Sequence, residues 1–325
     1  MKERPSPYSP EGDESKERQR IIETAGNLLA EHLLSQPNPK LLLDMDGVIF
    51  RADSLHVPEL TTPEILVTLR LLEAQGVSIG PATGRGIHVV NYLREQELKL
   101  SGPAILEEGQ TIIQNGQIEY LGHPNHRAYM DAIKATLQSH PEFLPEWHLV
   151  QSAAKVGQFT FAPGNFQWQG ECRSSFWFHY DGDPSQDRKI VMGKFEPIFH
   201  QLAIEFGLNY DRDVAVNTFR MQPNEENGNL AIIGIKGKLD GNLIDKGIAA
   251  QHIEGTWAFA ADGFGDAPLS RVTSIRNGVV IGIEGNLDTT SDATEFLLTA
   301  NVVLRNPREF NDALRHASHV IGQSE

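Results

Sequence analysis

Cysteine is almost missing from this chain. Cys172 stands alone among 325 residues, which excludes an internal disulfide and any cysteine-based zinc site and suits a reducing compartment. It reads as a small core residue. Positive charge is also scarce: 28 Lys and Arg face 43 Asp and Glu, for a formal net charge of −15. That deficit argues against a nucleic-acid backbone as partner, which needs clustered cations. A small anionic substrate stays admissible where a metal ion supplies local positive charge. No apolar run approaches the roughly 20 residues needed to cross a bilayer, and the first 20 residues are too charged for a signal peptide. The expectation is a cytoplasmic protein with neither membrane nor nucleic acid as partner. With 40% hydrophobic and 22% charged residues, the chain has material for one large α/β domain and a smaller one.

Residues 1–17 carry Pro, Ser, Glu and Lys with almost no apolar content, and their composition predicts a disordered tail. From Ile21 the apolar residues Ile22, Ala25, Leu28, Leu29 and Leu33 recur at helical spacing until Pro37 and Pro39. The apolar run Leu41, Leu42, Leu43 stops at Asp44, as a buried strand of a parallel sheet does. A helix over 64–74, a strand over 77–80, a helix over 86–98 and a strand over 103–106 follow. Near the other end, strands over 257–261, 278–283 and 302–304 alternate with helices over 291–299 and 307–320. Such alternation predicts a doubly wound α/β domain. The middle differs, with helices near 127–138 and 190–206 and strands over 159–162, 172–180, 214–221 and 230–235. Its last two strands flank a turn-rich 223–228, a hairpin signal. This order describes a small α+β domain inserted into the larger one.

Asp44-Met45-Asp46-Gly47 follows directly on a buried strand, which places two carboxylates at the carboxyl end of the sheet, where α/β ligand sites form. A carboxylate can attack phosphorus when a divalent cation holds it beside a phosphate oxygen, while a second acid protonates the leaving oxygen. The same four residues also read as a plain turn, or as the metal-binding pair of a nucleotide-sugar transferase. Pro81-Ala82-Thr83-Gly84-Arg85-Gly86 follows the second strand. The Thr83 hydroxyl and the N–H groups after it, Gly84 onward, suit phosphate oxygens at a helix N-terminus, or Thr83 is simply a helix cap. Lys246, in Asn242-Leu243-Ile244-Asp245-Lys246-Gly247, suits a phosphoryl group, with Lys236 and Lys238 as rivals and a solvated surface charge as the plain alternative. Asp262-Gly263-Phe264-Gly265-Asp266 ends a strand with two carboxylates four apart, suited to a hard cation, or forms an acidic Gly-rich loop.

These four pieces, in this order, resemble the four motifs of haloacid-dehalogenase-superfamily phosphatases, over roughly residues 40–314. Ile105-Leu106-Glu107-Glu108-Gly109-Gln110 followed by Asn115-Gly116 is similar to the segment leading into the large α/β cap of the Cof-type subgroup, and 278–286 is similar to the family's late strand and Gly-Asn turn. The resemblance implies a Rossmann-like core over 18–118 and 237–325 with a cap inserted at 119–236. It implies a small phosphorylated metabolite as substrate and Mg2+ as cofactor. Asp44 would be nucleophile and metal ligand, and Asp46 the general acid/base that also offers its backbone carbonyl to the metal. Thr83 and Gly84 would bind phosphate and Lys246 stabilise it, while Asp262 completes the metal site with Asp266 in support. Two positions depart from the pattern: Ala261 stands for the usual Gly, and Gly265 for a common Asn.

Substrate identity would be read by the cap. The strand ending in His179-Tyr180 has a slight similarity to trehalose-phosphate phosphatases, although a strand this aromatic also reads as buried cap core. Arg173, His179 and Arg220 are its candidate sugar or carboxylate contacts. Besides a hydrolase, the resemblance admits a sugar phosphomutase, and the altered fourth motif admits a catalytically silent binding protein.

Overall fold

A computed structural model describes residues 10–51, 59–139, 172, 174–179, 188–221, 230–263, 265–284 and 291–324. Its centre is a five-stranded parallel sheet: β1 (Lys40–Leu43), β2 (Ser78–Pro81), β10 (Ala258–Ala261), β11 (Val279–Ile283) and β12 (Val302–Leu304), in the order β12-β11-β10-β1-β2. Each strand is short, and β1 sits in the middle, with Leu43 paired to both Ala260 and Pro81. Side chains alternate across a strand, so β1 feeds two cores. Leu41 and Leu43 join Ala258, Ala260, Ile281 and Ile283 against helices α1 (Pro10–Leu34), α2 (Ile65–Ala74) and α10 (Pro307–Ser324). Leu42 joins Phe259 and Val280 on the opposite face, against α7 (Lys246–Gln251), α8 (Ala267–Ile275) and α9 (Ser291–Thr299). Burial on both faces explains why these strands read as unbroken apolar runs, and it makes the domain doubly wound α/β as expected.

Beyond the sheet lie β3 (Ala104–Leu106), β4 (Thr111–Gln114) and β5 (Gln117–Tyr120), an antiparallel meander in which Asn115-Gly116 makes a two-residue hairpin turn. A separate antiparallel sheet is built from β6 (Ser174–His179), β7 (Val214–Met221) and β8 (Leu230–Leu239), with the short β9 (Asn242–Leu243) on β8. Met221 pairs with Leu230, as the expected hairpin requires. The turn itself, the strand expected over 159–162, Arg173 and the Gly-Asn turn near 286 lie outside the described residues, as do the side chains of His179 and Arg220. The remaining helices are α3 (His88–Glu95), α4 (His126–Ser139), α5 (Arg188–Glu205) and α6 (Tyr210–Asp213). None of the described helices is long and apolar enough to cross a membrane.

One expectation needs correcting. Helix α1 begins at Pro10, inside the segment 1–17 expected to be a disordered tail, of which residues 1–9 lie outside the described residues. Composition missed two polar supports. Arg305 pairs with Glu14, and Arg18 with Glu309, which ties the charged start of α1 to the start of α10.

Candidate active site

β1 and β10 run parallel and end side by side, so the residues just after them share one edge of the sheet. Asp44 N–H donates to Ala260 at 2.9 Å, which carries the ladder one residue past the strand and holds Asp44 at the rim. The turn that follows is fastened by Gly47 N–H to Phe50 at 2.8 Å and Ile49 N–H to Met45 at 3.0 Å. Gly47 has φ +76°, and a β-carbon there would collide with the Asp262 carboxylate at the end of β10. Only glycine lets the two chain ends approach this closely.

Lys246 reaches the same point from the start of α7, which Asp245 caps by accepting from Ile248 N–H at 2.8 Å. Lys246 Nζ donates to Asp44 Oδ1 at 3.0 Å and to Asp266 Oδ1 at 2.6 Å. Its rivals are engaged elsewhere, Lys236 with Glu108 and Lys238 with the Asp211 carbonyl. Asp44, Asp262 and Asp266 are all buried, and one carboxylate oxygen from each lies within 4.8 Å of the others. Asp266 is fully buried and its Oδ2 has no hydrogen-bond partner.

The electrostatics follow from this crowding. Burial, then the neighbouring Asp266, pushes the Asp44 carboxyl up to about 8, against the pull of Lys246. Burial likewise raises Asp266 to about 6, with Lys246 opposing. Lys246 is held above the usual lysine range: burial works against its charge, but Asp266 and Asp44 outweigh it. Three buried, clustered carboxylates thus share one ammonium, which bonds two of them. An oxygen-rich, net-negative set with an orphaned carboxylate oxygen is the donor chemistry of a hard divalent cation.

The Thr83 loop closes another side. Ala82 N–H donates to Leu43 at 2.7 Å, which places the loop beside Asp44. Thr83 is fully buried and its hydroxyl accepts from Arg85 N–H at 3.2 Å. Gly84 is half-buried between them. The Asp46 side chain stands apart from the three clustered acids: it receives Arg85 Nε at 3.0 Å and pairs with the same guanidinium through Nη2. Arg85, buried and lying 5.5 Å over the Phe50 ring, was not singled out in the sequence, although an Arg two residues past a phosphate-type Thr is a visible signal. The structure thus brings Asp44, Lys246, Asp262 and Asp266 together, sets the Thr83–Arg85 loop beside Asp44 through Ala82, and turns the Asp46 side chain to Arg85.

No protein-family model matches the sequence, and no curated protein matches it. Solved structures do match in shape. A trehalose-6-phosphate phosphatase related protein superposes with a TM-score of 0.50 at 15% identity, covering 88% of this chain and 100% of its own. A haloacid dehalogenase-like hydrolase from Bacteroides thetaiotaomicron gives 0.47 at 15% identity over 89% and 100%. A Thermotoga maritima protein gives 0.48 at 11% identity over 88% and 97%. The likeness to the trehalose-6-phosphate phosphatase related protein is one of fold alone, and in this chain that fold is a central parallel sheet with helices on both faces.

Proposed function

We propose that this protein is a phosphomonoester hydrolase that works through a covalent aspartyl-phosphate on Asp44, with a small phosphorylated metabolite, a sugar phosphate, as substrate. The observation that carries the reading is Lys246 bridging Asp44 and Asp266 within the buried acid cluster. Such a buried acid cluster favours a cation and, through the cation's charge, an anion.

In this reading Asp44 Oδ attacks phosphorus and the bond to the leaving oxygen breaks. Asp46 gives that oxygen its proton. Asp46 then takes a proton from water as the water attacks phosphorus, the bond to Asp44 Oδ breaks, and inorganic phosphate leaves. Thr83 and the Gly84 amide hold the non-reacting phosphoryl oxygens, and Lys246 offsets their charge. Asp44, Asp262 and Asp266, with the backbone carbonyl of Asp46, would hold Mg2+. When bound, it supplies charge neutralisation between nucleophile and phosphate. Residues 119–236 form an inserted cap that reads the leaving group, between core segments 18–118 and 237–325. The antiparallel pairing of β6, β7 and β8 supports such a unit.

The test is phosphate release from an aryl phosphate and from a panel of sugar phosphates that includes trehalose 6-phosphate, with and without Mg2+. Wild-type protein should release phosphate only with the cation, and Asp44→Asn should be inactive. Equal rates for Asp44→Asn and wild type would remove the mechanism, and conversion of a hexose 1-phosphate to its 6-phosphate without phosphate release would identify a mutase instead.

A further inference from the structure

The turn Glu107–Gly109 lies between two groups of residues that nothing else described so far connects. Glu107, Glu108 and Gly109 all have positive φ, 55°, 55° and 97°. For two consecutive glutamates this is a costly conformation, held only where the surroundings over-determine it. Those surroundings are the phosphate loop and the Lys246 helix. Glu107 N–H donates to the Arg85 carbonyl at 3.0 Å and Glu108 N–H to the Thr83 carbonyl at 3.1 Å, so the turn grips the loop on both sides of Gly84. A β-carbon on Gly109 would strike the Asp245 carbonyl, directly before Lys246.

The side chains of the same turn face the other way. Glu107, which is buried, accepts from Cys172 N–H at 2.7 Å, and the Cys172 carbonyl meets His126 Nε2 at 2.9 Å. Glu108 pairs with Lys236 Nζ at 2.8 Å. Gln110, fully buried, accepts from Gly237 N–H at 2.7 Å and donates to the Gly237 carbonyl at 3.3 Å. The side chains of Glu107, Glu108 and Gln110 thus bind the backbone just before β6, the Lys236 ammonium and the Gly237 backbone late in β8, while the backbone of Glu107 and Glu108 binds the site loop.

We propose that Glu107 is a positioning residue that couples the antiparallel unit to the phosphate loop. Its carboxylate fixes the turn to Cys172, and the turn in turn sets the Thr83 and Arg85 carbonyls and hence the orientation of the loop amides. The mechanical part needs no assumption about activity; the effect on phosphate affinity rests on the phosphatase reading.

The experiment compares wild type, Glu107→Ala and Glu107→Gln by amide hydrogen exchange and by competitive inhibition with inorganic phosphate against an aryl phosphate. Gln keeps an oxygen that can accept from Cys172 N–H. Glu107→Ala should speed exchange over 83–86 and 106–110 at least tenfold while β1 is unchanged, and should raise the inhibition constant for phosphate at least fivefold. Glu107→Gln should stay within about twofold of wild type in both. Unchanged exchange over 83–86 in a folded Glu107→Ala protein overturns the coupling. Faster exchange with an unchanged phosphate constant overturns its role in the site. Should Glu107→Ala not fold, Lys236→Gln probes the same turn from β8 and should speed exchange over 106–110; no change there would also overturn the proposal. Failure of the phosphatase reading would show separately, as inactive wild type with the exchange result intact.

Discussion

Gly47 and Asp262 are packed in direct contact, the turn after β1 seated on the acid that ends β10 with no room for a side chain between them. Gly47→Ala would therefore combine a left-handed backbone, φ +76°, with a clash against a proposed metal ligand. The expected outcome is a loss of about 1–3 kcal/mol in stability and at least a tenfold loss in kcat/KM toward an aryl phosphate. Thermal unfolding and steady-state kinetics check the two parts, and wild-type kinetics would show that this contact does not set the site.

Lys246→Met removes the one ammonium bonded to Asp44 and Asp266. Leaving buried acids without their partner costs on the order of 3–5 kcal/mol, so the variant should melt well below wild type. Mg2+ should raise its melting temperature by more than it raises that of wild type, because the cation then balances one more bare carboxylate. Chelation should lower wild-type stability and leave Asp262→Asn unaffected. Melting scans with Mg2+ and with a chelator decide it.

His126 gives a pH dependence remote from the acids. Burial lowers its pKa from 6.5 to about 4, and Cys172 and Asp213 only partly oppose this. Its Nδ1 is buried without a partner, so the neutral ring, donating from Nε2 to Cys172, is the form the fold accepts. The unfolded chain takes up the proton more readily. This contribution to stability is complete above pH 6.5 and is lost as pH falls from 6.5 toward 4, reaching roughly 3 kcal/mol by linkage. Urea unfolding of wild type should weaken over that window, and His126→Gln, which keeps a donor but does not titrate, should flatten the slope.

The start of α1 is held by charge. Burial works to raise the Glu309 pKa, but bonds from the Arg18 side chain and the Arg305 N–H outweigh it and hold the carboxyl below 4.5. A depressed acid stabilises the fold above its unfolded value and loses that contribution as pH falls through the lowered one. Hydrogen exchange over 14–24 should accelerate below pH 4.5 in wild type and be fast at pH 7 in Glu309→Gln. Equal protection in the two proteins at pH 7 would show that apolar contacts alone hold the helix.

Local chemistry determined much of this protein. The apolar triplet Leu41 to Leu43 had to be a buried strand, because a parallel sheet covered on both faces asks for no polar side chain. Its ending at Asp44, and the later endings at Thr83 and Asp262, marked one edge of the sheet before any coordinates. What those patterns could not contain is distance between strand ends. That β1 and β10 are neighbours, so that Lys246 touches both Asp44 and Asp266, is a result of strand order. The pairing of Arg85 with Asp46, the grip of Glu107 on Cys172 and the docking of the charged start of α1 on α10 join residues 39, 65 and 291 positions apart. Periodicity registers what each segment buries; only the packed fold decides which polar groups meet once those faces are hidden from water.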